Sequence, residues 1–307
     1  MADRTARALP RLLVLGNANV DLVLGEIDGW PAVGTEVVVE RSEMRPGGSA
    51  GNAALALAGM GVPHRYIAAS GDDANGAWLR AAFDAASTEW IVGHGPTTLT
   101  VGIVHRGGDR AFLTTPGHLQ TAGLDDVLDR LPAAPAGRAV ALIAGGFLMP
   151  ALRDGTGRLI AALAARGWSA AIDPGWPPEG WTTDNRARMA EWLAAADMAL
   201  ANAEEAVGWS GRAGREAAAG AMAAAMRPDA VLVVKDGAAG AFLRAGARRA
   251  RAAAPRVRVI DTVGAGDTFN AAFLAAWAQG ADLDDALLAG VTTAARAIST
   301  YPRRYSG

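Results

Sequence analysis

The sequence predicts an α/β fold: a central, mostly parallel sheet between two helical layers, with a small second sheet beside it. Three observations carry this. Short apolar runs alternate with longer alanine-rich stretches of helical period, the pattern of repeated βα units. The apolar runs are near-continuous, as in Val231-Leu232-Val233-Val234, which suits strands buried on both faces. Two stretches, 20–40 and 98–115, break the alternation and read instead as short strands with turns.

Taken in order, the run at 11–15 is the first strand, and its flank Gly16-Asn17-Ala18-Asn19 lacks the glycine spacing of a dinucleotide-binding turn. The valines 37–39 are expected to form a strand in the first interruption. Gly47-Gly48 precedes a helix at 50–60, and Gly61 reads as its C-cap. A strand at 65–69 and a helix at 74–86 follow. The second interruption offers strands at 99–104 and 111–113 about the turn Arg106-Gly107-Gly108-Asp109. Further strands are expected at 139–144, 169–172, 198–201 and 230–234, with helices at 151–165, 186–194 and 215–226; alanine, the best helix former, explains the biased run 217–226. The two interruptions could pair into one sheet, either a lid over the main domain or plain edge decoration.

Composition narrows the function. A chain of 307 residues allows two domains or one large one. With 51% hydrophobic and 20% charged residues it is neither disordered nor fibrous. A net charge of −2 excludes a sequence-wide basic footprint for nucleic acid. The absence of cysteine excludes disulfides, thiolate metal sites and cysteine nucleophiles. The N-terminal run 12–15 is too short for a signal segment. The longest apolar stretch, 139–152, contains Gly145, Gly146 and Pro150 and falls short of the roughly 18 residues of a membrane span. A cytoplasmic protein, without nucleic-acid or membrane partners, is expected.

The chemistry concentrates at 257–279. An alternating segment ends at Asp261, the small residues Gly264, Ala265 and Gly266 follow, and a helix starts around Asp267. Small residues at a helix start leave N–H groups exposed beside the positive end of the helix dipole, which makes an anion cradle. Asp267 is either a helix cap or a general base beside that cradle. Asp261 is a turn residue or a carboxylate near a metal. Lys235, the only lysine, is followed by Asp236-Gly237, so no P-loop is present.

These residues resemble the ribokinase-like (PfkB) carbohydrate kinases. Asp261-Thr262-Val263-Gly264-Ala265-Gly266-Asp267 is similar to that family's C-terminal signature, and Gly47-Gly48-Ser49-Ala50-Gly51-Asn52 with Gly61 and Gly71 to its N-terminal one. Gly16-Asn17-Ala18-Asn19-Val20-Asp21, Asn202-Ala203-Glu204-Glu205 and Lys235-Asp236-Gly237-Ala238-Ala239-Gly240 resemble its partial motifs, in family order from about residue 11 to about residue 300.

The resemblance implies a three-layer αβα ribokinase-like fold. It makes residues 1–307 a single domain, with a lid built from about 20–45 and 98–115, and a homodimer contact through that lid. It implies transfer of the ATP γ-phosphoryl group to a sugar hydroxyl. Asp267 would be the base, and Gly264, Ala265 and Gly266 the anion hole. Asn19, Asp21, Gly47, Gly48 and Asn52 would line the sugar pocket. Asn202 and Glu205 would act near Mg2+ and the phosphates, Glu205 on the metal indirectly, with Lys235 and Gly237 along the nucleotide. Each motif also has a plainer reading: Ser49 or Asn52 serving a helix start, Asn202 capping the helix of Glu204 and Glu205.

Two departures stand out. Lysine occupies the place where many relatives have threonine. Thr300-Tyr301-Pro302-Arg303-Arg304 replaces a turn that helps many relatives hold a monovalent cation, which leaves K+ open as a cofactor. A nucleoside acceptor and a non-catalytic sugar or nucleotide sensor are the alternatives. A phosphorylated sugar is less favoured, since only Arg41, Arg45, Arg106 and Arg110 lie near the lid. His64, His94, His105 and His118 show no metal spacing and read as surface or turn residues, with substrate contact a lesser reading for His118. The roles of Trp176 and Trp181 stay open.

Overall fold

The computed structural model describes residues 10–106, 110–301 and 303–305. Along the chain run β1 (Leu12–Gly16), β2 (Asn19–Ile27), β3 (Arg41–Gly47), α1 (Ser49–Gly59), β4 (Arg65–Gly71), α2 (Ala74–Ala81) and β5 (Thr88–Gly93). Then come β6 (Leu99–His105), β7 (Arg110–Thr114), α3 (Leu124–Leu128), β8 (Val140–Ala144), α4 (Pro150–Ala164), β9 (Ser169–Asp173), α5 (Thr183–Ala195) and β10 (Met198–Asn202). The last part holds α6 (Ala203–Ser210), α7 (Arg215–Ala225), β11 (Val231–Lys235), β12 (Ala241–Ala245), β13 (Arg248–Ala252), α8 (Ala265–Ala278) and α9 (Leu283–Ile298).

The large sheet has nine strands in the order β13-β12-β11-β10-β9-β8-β1-β4-β5. From β11 to β5 every neighbouring pair is parallel, while β12 and β13 add an antiparallel edge. The apolar runs are apolar because both faces are covered. In β1, Leu13 and Leu15 join one core with helices α4, α5 and α7, while Leu12 and Val14 join the other with α1, α8 and α9. Leu232 and Val234 of β11 alternate with Val231 and Val233 in the same way, as strand geometry requires.

The small sheet has the order β3-β2-β6-β7, with β2 and β6 parallel and both outer pairs antiparallel. It joins the two interruptions of the α/β pattern. The expected strand at 37–39 does not form: those valines are outside both sheets, and Val38 is 89% exposed. The ladder with β2 ends at the Gly25–Arg41 pair, so β3 starts only there. Gly107, Gly108 and Asp109 of the expected turn, and the side chain of Arg110, lie outside the described residues.

The helix expected at 74–86 stops at Ala81. Asp84 then takes the N–H groups of Ala86, Ser87 and Thr88 and turns the chain into β5. Two of the four histidines depart from the surface reading. His64 and His118 are buried, and the His118 ring accepts the Thr98 N–H at 3.0 Å at the head of β6. Trp181 packs edge-on between Phe147 and Trp176, so it belongs to the packing. No helix among the described residues is long and apolar enough to cross a membrane.

Candidate active site

In open α/β sheets, ligands collect at the carboxyl ends of the parallel strands. Along that edge here, Gly16, Ala144 and Asp173 stand in register at the ends of β1, β8 and β9. Asn202 and Lys235 stand in register at the ends of β10 and β11. Lys235 extends its ammonium to Asp173 Oδ2 and Asn270 Oδ1, each at 3.1 Å, and the Asn270 amide donates to Asp173. The pair is nearly enclosed, with side chains 12% and 8% exposed. Burial alone would depress the Lys235 ammonium, but Asp173, Glu205 and Asp267 around it outweigh that and raise it. It stays charged.

Helix α8 starts with Gly264 as its N-cap, at φ 71°, a left-handed conformation that glycine adopts at no steric cost. A Cβ there would also come within 3.2 Å of the Asn52 amide and 3.1 Å of Arg303 Nη1. Asp267 is therefore inside the first turn and is not the cap; among the described residues no side chain caps this helix. Its carboxylate instead accepts the Asn52 amide at 2.9 Å. Asn52 is in α1, which lacks a side-chain cap too, so neither Asn52 nor Ser49 is spent on that helix start. Burial, with the Asp173 carboxylate nearby, pushes Asp267 up to about 7. Of the cradle residues, Ala265 N–H makes a 3.2 Å turn bond to Thr262 O, and Gly266 faces the Lys235 ammonium, 3.4 Å from where its Cβ would be.

On the small-sheet side, Asn19 donates to Asp21 Oδ1 at 2.6 Å and to Thr100 Oγ1 at 3.1 Å. Gly47 pairs with Asn19 across the ladder, and a Cβ on it would fall on the Asp21 carboxylate. Only glycine leaves room there. Gly48, the N-cap of α1, is packed as tightly, its Cβ position 2.9 Å from Asn19 Oδ1. Burial raises Asp21 to about 6, against the pull of Arg45 and the Asn19 hydrogen bond. Arg45, opposite Asp21 in the β2–β3 register, reaches Asp261 Oδ2 at 2.7 Å. Arg303 reaches the same oxygen at 2.7 Å. Burial would raise Asp261, but the Val263 N–H and the two guanidiniums override it and hold it at about 2.

A cavity of about 530 Å3 opens beyond Gly266. Lys235 stands at one end, Gly237, Ala238 and Gly240 form a rim, and Val259, Ala295 and Ile298 give an apolar wall. That size and lining suit a nucleotide. Asn202 and Glu205 do not line it. They form a capping box at the head of α6, with Glu205 N–H donating to Asn202 Oδ1 at 2.7 Å and Asn202 N–H to Glu205 Oε2 at 2.8 Å. The plainer reading of that motif is thus realised, although burial and the nearby Asp173 still raise Glu205. Among the described residues no three His, Cys, Asp or Glu side chains form a metal-holding group.

The structure therefore joins Asn52, Asp267, Gly264, Gly266 and Lys235 in one group and Asn19, Asp21, Gly47 and Gly48 in its neighbour. Sequence reasoning missed Asp173, Asn270 and Arg303. Asn270 follows Asp267 by three positions, on the same helix face, which was a usable signal. Asp173 ends an apolar strand, as Lys235 does. Arg303 has no local signal.

A buried carboxylate in the first turn of a helix, small residues at that helix start and a nucleotide-sized cavity on an αβα fold fit a phosphotransferase. Comparison with known proteins makes this particular. The family model for pfkB family carbohydrate kinases matches residues 9–304, so the chain belongs to that family and is a kinase. An ATP-dependent ribose-1-phosphate kinase of Halopiger xanaduensis is 28% identical over 292 residues, covering 90% of this chain and 88% of that protein. Among solved structures, Arabidopsis thaliana ribokinase complexed with ribose and ATP superposes with a TM-score of 0.76 at 22% identity, covering 96% of this chain and 94% of that one. Adenosine kinase from Sinorhizobium meliloti gives 0.76 at 22% identity, covering 96% of each. These two share the ribokinase-like fold.

Proposed function

We propose that this kinase moves the γ-phosphoryl group of ATP to a hydroxyl of a small sugar, with Asp267 as general base. The observation that carries this is the placement of Asp267. It is in the first turn of α8, free of capping duty, oriented by Asn52 and next to both the cradle and Lys235. The acceptor hydroxyl gives its proton to the Asp267 carboxylate, and its oxygen forms the new bond to the γ-phosphorus. The bond to the β–γ bridging oxygen breaks, and ADP leaves with that electron pair. Phosphoryl transfer needs positioning and charge stabilisation more than covalent help. The N-terminus of α8 at Gly264, Ala265 and Gly266 supplies it, with the Lys235 ammonium alongside.

Asn19, Asp21 and Asn52 hold the acceptor's hydroxyls, and Gly47 and Gly48 let it approach closely. The 530 Å3 cavity takes the nucleotide, with Gly237 at its rim. Glu205 would act on a Mg2+ ion indirectly, through water, and the ion would neutralise phosphate charge. The small sheet serves as a lid that keeps water from the phosphate, and residues 1–307 act as one domain. The curated relative supports ATP as donor and a ribose-sized acceptor.

The test is an ADP-release screen of the purified protein against free sugars, sugar phosphates and nucleosides, with 31P NMR locating the new phosphate. Turnover of an acceptor with one new phosphate ester is expected. Absence of turnover with every polyol and nucleoside would favour the sensor reading.

A further inference from the structure

Lys235 is the one lysine of the chain, and its ammonium is held from two sides. Asp173 Oδ2 and Asn270 Oδ1 each accept from Nζ at 3.1 Å. The Asn270 amide donates to the same Asp173 oxygen, so the three side chains close a ring. Each comes from a different element: Asp173 ends β9, Lys235 ends β11, and Asn270 is in α8. The ring fixes the Asn270 amide one way round, its oxygen on the cation and its nitrogen on the anion.

A buried ion pair is a poor stabiliser, because desolvation offsets most of its attraction. Holding a flexible lysine stem in one geometry costs rotamer entropy as well. The arrangement makes sense where the ammonium has a ligand to meet. An ammonium carries three N–H donors. Two are taken, and among the described residues the third has no partner. Lys235 and Gly266 both line the 530 Å3 cavity, and Nζ is 3.4 Å from where a Gly266 Cβ would be. Glycine leaves the ammonium uncovered there, beside the start of α8. Asp173 and Asn270 are buried and do not line the cavity, so they reach a bound nucleotide through the lysine.

We infer that Asp173 and Asn270 are positioning residues, which hold the Lys235 ammonium so that its remaining N–H meets the terminal phosphate of the nucleotide beside Gly266. This rests on the phosphotransfer reading above and gives work to two residues that it leaves out. A cation fixed in place stabilises the charge that shifts during transfer; a cation free to swing still binds the nucleotide but is misplaced for the reaction. Asp173 also faces the proposed base. Around Asp267 stand Asp173 from β9, Lys235 from β11, Arg303 from the C-terminal segment and the Asn52 amide from α1, with Glu205 of α6 nearby. Burial raises Asp267 and the Asp173 carboxylate adds to it, so removing that charge eases the ionisation of Asp267.

The experiment uses the full-length enzyme with K235M, D173N and N270A, each checked by thermal unfolding. By calorimetry, K235M should weaken ATP about 10- to 100-fold, the scale of a lost charge-assisted hydrogen bond, and leave AMP within about threefold of the parent. The double variant K235M/D173N, which leaves no unpaired charge, replaces K235M if the single variant does not fold. Rates are taken with ribose, ribose 1-phosphate and adenosine as acceptors. D173N and N270A should lower kcat about tenfold or more with every acceptor turned over, while KM for ATP stays within about threefold of the parent. D173N should also move the acid limb of the kcat–pH profile to lower pH by about one pH unit. A merely structural role would lower Tm and move neither. Equal loss of ATP and AMP in K235M would overturn the phosphate contact. Unchanged kcat and an unmoved acid limb would overturn the positioning role; both results leave the kinase reading intact. If no acceptor releases ADP, the phosphotransfer reading fails instead. Calorimetry then decides the inference: a preference for ATP over AMP that K235M abolishes upholds it, and one that K235M keeps overturns it.

Discussion

The two ends of the site are built from opposite materials. The proposed acceptor end is made of charged and amide side chains already bonded to one another: Asn19 to Asp21, Asn52 to Asp267, Arg45 and Arg303 to Asp261. The proposed nucleotide end is mostly glycine, alanine and apolar walls, with Lys235 and Arg256 as the charged residues among those lining it. The difference separates two kinds of recognition. Hydrogen-bonding side chains discriminate, because a wrong ligand leaves buried groups unpaired. Backbone and shape hold a common co-substrate without reading it closely.

The largest expected effect tests where the chemistry sits in this division. Asp267→Asn keeps the shape of the site but removes the proposed base, and kcat should fall by about 10²–10⁴. ATP binding measured by calorimetry should persist. An unchanged kcat would move the reaction away from the acceptor end. Next comes pH. Asp267 is raised to about 7 by burial, so the carboxylate form of the proposed base is lost as pH falls through that value. Rate should climb with pH to a plateau above it, with pH 5 about 100-fold below the plateau. A flat profile between pH 5 and 8 breaks the assignment.

Gly47→Ala sharpens the contrast itself. The new Cβ displaces the Asp21 carboxylate, so KM for the acceptor should rise about tenfold or more while KM for ATP stays close to that of the parent. Equal damage to both would mean that the two ends are not separable. The smallest effect belongs to Asn202→Ala. Loss of the capping box should cost about 1 kcal/mol, seen as a fall of about 2–4 °C in Tm. A tenfold rise in KM for ATP would show that Asn202 touches the nucleotide as well.

The parallel interior of the fold was legible because its strands are apolar on both faces, as in β1, β8 and β11. Edges were harder to read. β5 (Thr88–Gly93) is only half-buried, and β13 (Arg248–Ala252) hides its alternation behind arginines facing solvent. The valines 37–39 show the reverse error, since β-propensity without a partner strand does not make a strand. Helix α9 was not anticipated. The site divided in the same way. Asp267 and Asp21 stand in local motifs that announce a backbone geometry. Asp173 and Arg303 enter only through packing across the chain, and no spacing encodes that.

The Arg45–Asp261 contact joins residues 216 positions apart, and Arg303 completes it from further on. On the ribosome the N-terminal parts of a chain emerge first. β2, β3 and α1 are then available before Asp261, Asp267 and Arg303 leave the exit tunnel. A nascent chain at that stage holds the proposed sugar-contacting residues but neither the proposed base nor the proposed phosphate cradle. The proposed site is thus complete only once the segment through Arg303 has emerged, and a shorter nascent chain could not consume ATP through it.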